Sequence, residues 1–135
     1  MPALTRISGL ILVAASLFAQ ASEHQFDVVI YGATAGGTIA AIAAAKDGVR
    51  TALVEPGRHV GGMVTGGLGR TDMDRQDRVI GGLSRQFFER AGKHYGQPVT
   101  WVFEPSVAER IMNDWLREAG VQLFLGQRIS GATKR

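Results

Sequence analysis

The feature that most constrains this chain is Gly32-Ala33-Thr34-Ala35-Gly36-Gly37, set between a β-branched apolar run and an alanine-rich stretch. Phe26 to Tyr31 (FDVVIY) has the unbroken apolar character of a strand buried on both faces of a parallel sheet. Gly37 to Asp47 (GTIAAIAAAKD) predicts a helix packed tightly under that sheet, and Gly48 suits its C-terminal cap. Thr51 to Val54 (TALV) predicts a second strand that ends at Glu55. Strand, helix and strand in so few residues force parallel pairing through a right-handed crossover. The fold class is therefore α/β, a Rossmann-like βαβ unit with a parallel sheet.

Each position in the glycine segment has a mechanical reason. Gly32 permits the sharp turn from strand to helix, and Gly37 lets the helix and strand pack closely. The helix N-terminus offers free N–H groups and a positive dipole end to a pyrophosphate. Glu55, about twenty residues on, is placed to accept hydrogen bonds from the ribose hydroxyls of an adenosine, and an acid there favours an unphosphorylated ribose. One position departs from G-x-G-x-x-G: the middle glycine is Thr34, whose Cβ intrudes where backbone should approach the phosphate. Gly36 offsets this, and the threonine hydroxyl adds a donor. Gly32, Thr34, Ala35, Gly36, Gly37 and Glu55 thus make a candidate dinucleotide site of the FAD/NAD(P)-binding type.

Downstream, Pro56 to Gly82 has no period and is dense in glycine, which predicts a long ligand-covering loop without a core element. Its segment His59-Val60-Gly61-Gly62-Met63-Val64-Thr65-Gly66-Gly67-Leu68-Gly69 offers backbone free of side chains to a ribityl chain and the edge of a flat ring; the alternative is a plain surface loop. Ser84 to Lys93 predicts a short helix with Phe87 and Phe88 on its buried side, and Trp101 to Phe103 a brief extended piece. Pro105 to Ala119 is the clearest amphipathic helix, with Val107, Ala108, Ile111, Met112, Trp115, Leu116 and Ala119 at three-and-four spacing. Ser106 with Glu109 suggests a capping box at its start. Val121 to Leu125 predicts a third strand, and Gln127 to Ile129 the beginning of another.

Ahead of all this, residues 1–21 carry one positive charge, the apolar run Ile7 to Phe18 and the small-x-small Ala19-Gln20-Ala21. That pattern predicts a secretory signal peptide cleaved after Ala21, hence export to the periplasm or beyond. The apolar run is short of the roughly 20 residues that span a bilayer, so no stable membrane anchor is expected after cleavage. Residues 22–135 are left as one domain. Fifteen Lys and Arg stand against twelve Asp and Glu, interspersed in sign and without interleaved aromatics, so a nucleic-acid partner is not expected. Cysteine is absent, which removes disulfides, thiolate nucleophiles and iron–sulfur ligation by this chain. Asp72, Asp74 and Asp77 have a calcium-like spacing, but interleaved arginines and a missing loop glycine make a solvated charged loop the better reading, and no metal site is expected. His59 and Glu104 read by default as surface residues, and no catalytic acid or base is named.

The stretches DVVIYGATAGGTIAAIAAAKDGVRTALVEPGRHVGGMVTGGLGRTD, IGGLSRQFFERAGKHYG and FEPSVAERIMNDWLREAGV resemble the N-terminal region of the FAD-dependent oxidoreductase family, whose wider relatives include flavin subunits of heterodisulfide reductase. The resemblance implies FAD as cofactor, with hydride or electron transfer between a small-molecule substrate and an acceptor. It assigns Gly32, Thr34, Gly36 and Gly37 to the pyrophosphate, Glu55 to the ribose, and Gly61, Gly62 and Met63 to the flavin side. By a weaker analogy it brings the backbone near Ile129 to the adenine. It also implies an incomplete doubly wound domain, because such sheets need further parallel strands. Two alternatives remain at this point, an NAD-dependent Rossmann enzyme and a truncated, non-catalytic dinucleotide-binding module.

Overall fold

A computed structural model describes residues 24–72 and 77–134. The signal-peptide expectation for residues 1–21, and Asp74 of the aspartate triplet, lie outside the described residues. Three strands, β1 (Val28–Tyr31), β2 (Thr51–Glu55) and β3 (Gln122–Leu125), form a parallel sheet in the order β1-β2-β3. Helices α1 (Ala35–Lys46), α2 (Gly82–His94) and α3 (Pro105–Glu118) complete the described elements, with short 3-10 turns at Gly62–Val64 and Asp77–Val79.

Register places Ile30 beside Leu53 and Leu53 beside Leu123, so these three share one row on one face of the sheet. Against that row α1 brings Ala41 and Ile42, both fully buried, and α3 brings Ala108, Met112, Trp115 and Leu116. Removing a side chain the size of Ile42, Leu53 or Met112 from water contributes about 1.5–3 kcal/mol apiece. The small residues of α1 explain how close it sits: alanine brings one backbone nearer another than any longer side chain allows. Gly48, with φ of +83°, ends α1 as the sequence predicts.

On its other face β1 departs from expectation. Val29 and Tyr31 are 52% and 49% exposed, so the strand is not buried on both sides. Phe26 and Phe124, with ring centroids 5.9 Å apart, and His24 against Phe124 cover only part of that face.

Four further expectations need correction. Helix α1 starts two residues before Gly37, because Thr34 caps it with its side chain. The loop after β2 is not free of core contacts: Val60 is fully buried and Gly61 forms an isolated parallel bridge with Thr34. The capping box at Ser106 and Glu109 does not form, since Glu104 is the N-cap and Pro105 takes the first helical position, which draws Ser106 inside the helix. No strand begins at Gln127; Gly126 N–H donates to the Gly57 carbonyl (2.7 Å) and Gln127 N–H to the Glu55 carbonyl (3.1 Å), after which the chain is irregular. Trp101 to Phe103 is extended as expected, with Val102 bridged antiparallel to Arg70.

Candidate functional site

The site is built where β1 turns into α1. Gly32 sits at φ +101°, a conformation that side chains disfavour, and its N–H donates to the Val54 carbonyl at 2.8 Å, which ties the turn to β2. Ala33 is buried, and its N–H donates to Oε2 of Glu55 at 2.7 Å. The other carboxylate oxygen, Oε1, accepts from Gly57 N–H at 2.6 Å. Glu55 therefore lies on the same side as the helix amino end, held by one amide from each flanking turn. A carboxylate has about four lone-pair sites, so two remain for hydroxyl donors.

Thr34 is the N-cap of α1. Its hydroxyl oxygen accepts from Gly37 N–H at 3.1 Å and keeps its own proton for a further acceptor. The departure from the glycine fingerprint thus has a local use, since capping satisfies a helix amide that would otherwise need water or ligand. Ala35 and Gly36, the first two helical residues, have no intrahelical acceptor for their N–H groups, and the first turn carries no acidic side chain to compete for them. Gly36 is exposed. A methyl group at Gly37 would run into the Gly32 carbonyl oxygen, so that glycine sets how closely the helix meets the turn.

The Gly61-Gly62-Met63 loop closes the other side. Gly61 N–H donates to the Ala33 carbonyl at 2.6 Å, and a side chain at Gly62 would meet Cα of Thr34 at 3.4 Å. Gly61 and Gly62 both have positive φ, +101° and +56°. Met63 beyond them is 79% exposed. The structure thus brings Gly32, Thr34, Ala35, Gly36, Gly37, Glu55, Gly61 and Gly62 together. Ile129 stands apart, half-exposed on the irregular segment after β3, two residues past the Gln127 bond to Glu55.

From the first turn of α1 a cleft of about 520 Å³ runs away from Glu55, beginning at Ala35 and Gly36 and floored by Ile39, Phe87, Phe103 and Met112, with Arg70, Asp72 and Ser84 among its polar lining. A hollow of about 600 Å³ between α3 and β3, lined by Arg110, Asp114 and Arg117, shares none of the motif residues and is an open surface depression.

Sequence reasoning placed Phe87 on a buried face without connecting it to the motif. It also missed Glu109, whose Oε1 accepts from Val60 N–H (3.2 Å) and lies 3.0 Å from His59 Nδ1. No sequence signal joins residues 49 apart. His59 itself is exposed and engaged with that carboxylate.

A parallel sheet with a glycine turn, an open helix N-terminus and an acid at the tip of β2 defines a dinucleotide-binding α/β protein of the Rossmann type. The family model "FAD dependent oxidoreductase" matches residues 27–135, and the chain belongs to that family. It is similar in fold to Thermovibrio ammonificans THI4 (20% identity, 78% of this chain and 43% of that one, TM-score 0.48). Comparable likenesses are AlpK (18%, 77% and 24%, 0.49) and L-amino acid deaminase from Proteus vulgaris (17%, 76% and 40%, 0.45). The chain spans less than half the length of each of these.

The residues present fit the family's cofactor, FAD. A pyrophosphate would find the Ala35 and Gly36 amides and the Thr34 hydroxyl, at a helix end kept close to the turn by Gly37. A ribose would find the free lone pairs of Glu55.

Proposed function

We propose that this chain forms the FAD-binding part of an oxidoreductase that passes hydride or electrons through a non-covalently held flavin. The observation that carries this is the Ala33–Glu55 hydrogen bond, which sets the ribose-type carboxylate directly beside the open N-terminus of α1. Gly32, Thr34, Ala35, Gly36 and Gly37 would hold the pyrophosphate, and Glu55 the adenosine ribose. Gly61, Gly62 and Met63 would run beside the flavin half, and the backbone near Ile129 would approach the adenine. Flavin, once bound, supplies the redox chemistry, while the protein supplies position and electrostatics.

Two features favour FAD over NAD. The loop after Glu55 folds back onto Thr34, and the cleft that starts at Ala35 is apolar and aromatic, suited to a flat ring at the end of the dinucleotide remote from Glu55. Titration of 15N-labelled protein with FAD, ADP and NAD tests the reading. FAD and ADP are expected to shift the amides of Ala35, Gly36 and Glu55, and FAD alone those of Val64 and Phe87. Unmoved amides at all five positions, at millimolar ligand, would overturn it, and equal shifts by NAD would favour the NAD-dependent alternative.

The same reading includes export. Residues 1–21 have a charged start, a short apolar run and a small-x-small site, and among the described residues no helix is long and apolar enough to cross a membrane. N-terminal sequencing of protein recovered outside the cytoplasm is expected to begin at Ser22. A small-molecule substrate and an electron acceptor would be the partners of the flavin, and the mixed-sign surface charge argues against a nucleic-acid partner.

A further inference from the structure

We propose that Glu109 on α3 is a positioning residue for the cofactor loop, an inference that rests on the FAD reading above. Its carboxylate reaches across 49 residues of sequence to take the Val60 N–H at 3.2 Å, with the His59 ring nitrogen 3.0 and 3.3 Å from its two oxygens. Val60 is fully buried, and its carbonyl accepts the Thr65 hydroxyl, so both of its backbone polar groups are used. The next residue, Gly61, donates to the Ala33 carbonyl at 2.6 Å and bridges Thr34. Any side chain on Gly61 would strike Thr65 and, at 2.8 Å, the sulfur of Met112.

Glu109 and Met112 stand three residues apart on α3 and therefore share a face. That face fixes the loop from behind: Glu109 sets where the chain enters, and Met112 sets how deep Gly61 sits. Because Gly61 is bonded to Ala33, and Ala33 to Glu55, the carboxylate of Glu109 controls the gap between the loop and the pyrophosphate seat without touching cofactor. The side chain is only 25% exposed, so water replaces the lost bond poorly.

The test compares wild type with Glu109→Ala, Glu109→Gln and Glu118→Ala. Glu118 pairs with Arg90 at the far end of the same helix, 2.7 Å away, and serves as a control for lost α3 stability. A hydrogen bond to a charged group lost from a shielded site predicts that E109A binds FAD about tenfold more weakly and exchanges its Val60 and Gly61 amides about tenfold faster. The Ile42 amide in α1 should exchange at the wild-type rate. E109Q, whose amide oxygen still accepts from Val60, is expected within about threefold of wild type on both measures, and E118A to match wild type. Equal FAD affinity in wild type and E109A overturns this inference alone, as does equal weakening in E118A. Unchanged exchange at Val60 overturns it without reference to ligand, and failure of wild type to bind FAD or ADP overturns the functional reading and this inference with it.

Discussion

The Ala33 amide donates to Oε2 of Glu55 across 2.7 Å, so the first turn of the motif and the tip of β2 are one hydrogen-bonded unit and not two neighbouring loops. The bond has two consequences. It orients the carboxylate before any ligand arrives, and it makes the acid part of the fold as well as of the candidate site.

Substitution of Glu55 should therefore show both roles. In E55Q a single amide oxygen must serve two N–H donors, those of Ala33 and Gly57, and one is left facing an NH2 group. Leaving a part-buried donor unmade predicts a loss of about 1–3 kcal/mol in urea denaturation. Affinity for ADP should fall by at least about tenfold, since the remaining acceptor capacity for ribose goes with the charge. Wild-type ADP affinity in E55Q, measured calorimetrically, would remove Glu55 from the site.

Thr34 is the N-cap of α1, and a cap has a recognised signature. T34A should lose about 1 kcal/mol of stability, T34S almost none and T34G only a few tenths. Thermal unfolding followed by circular dichroism checks the order. If T34A melts with wild type, the 3.1 Å contact to Gly37 N–H contributes nothing and the fingerprint departure has no structural reason.

At the opposite end of β1, Asp27 holds Arg50 through the guanidinium at 3.0 and 2.8 Å and through the backbone N–H at 3.0 Å. The Arg50 side chain, then its backbone N–H, lowers the Asp27 carboxyl from its ordinary 3.8 to about 2. A depressed carboxyl stabilises the fold above its unfolded value and loses that contribution as pH falls through the folded one. The stability difference between wild type and D27N should therefore be constant above about pH 5, fall most steeply between about pH 4 and about pH 2, and level off at about pH 1. A difference independent of pH across that window would show that the pair does not couple to folding. Both groups are solvent-exposed, so the effect should also shrink in high salt.

What the sequence made legible was what is encoded over a few neighbouring residues. FDVVIY, TALV and VQLFL announced strands by β-branched apolar content, and the alanine run with Gly48 announced α1. The spacing from Gly32 to Glu55 put the acid at the end of β2, where it meets the Ala33 amide, because one βαβ unit has nearly fixed dimensions. Long-range pairings were not legible. Nothing local says that Glu109 leaves a capping box to bind Val60, or that the glycine loop returns to Thr34. Nor does an apolar strand reveal whether one face or two are covered, which is why Val29 and Tyr31 read as buried and stand half-exposed. Thr34 is a related case: the fingerprint comparison marked it as a departure with a spare hydroxyl, and the start of α1 at Ala35 adds its role as N-cap.

The two adjacent glycines of α1 separate fold from function most sharply. At Gly37 a methyl group would overlap the Gly32 carbonyl oxygen and touch Ile30 at 3.5 Å, and the oxygen belongs to a turn pinned by Gly32 N–H to Val54. Neither partner can retreat without breaking a bond, so G37A should lose about 1–3 kcal/mol or more, in line with overpacked sites. At Gly36 the nearest atom to an added methyl is Thr34 Oγ1 at 3.9 Å, which is ordinary contact. Alanine is a better helix former than glycine by about 0.8–1 kcal/mol in a helix interior, and near the first turn G36A should be neutral or slightly stabilising. Yet that methyl would stand among the amides proposed to face a phosphate, and on that reading FAD and ADP binding should weaken together. Stability from chemical denaturation, set beside ADP affinity for the same two variants, checks both halves. A G36A protein that keeps its stability and binds ADP like wild type would place the phosphate seat somewhere other than the amino end of α1.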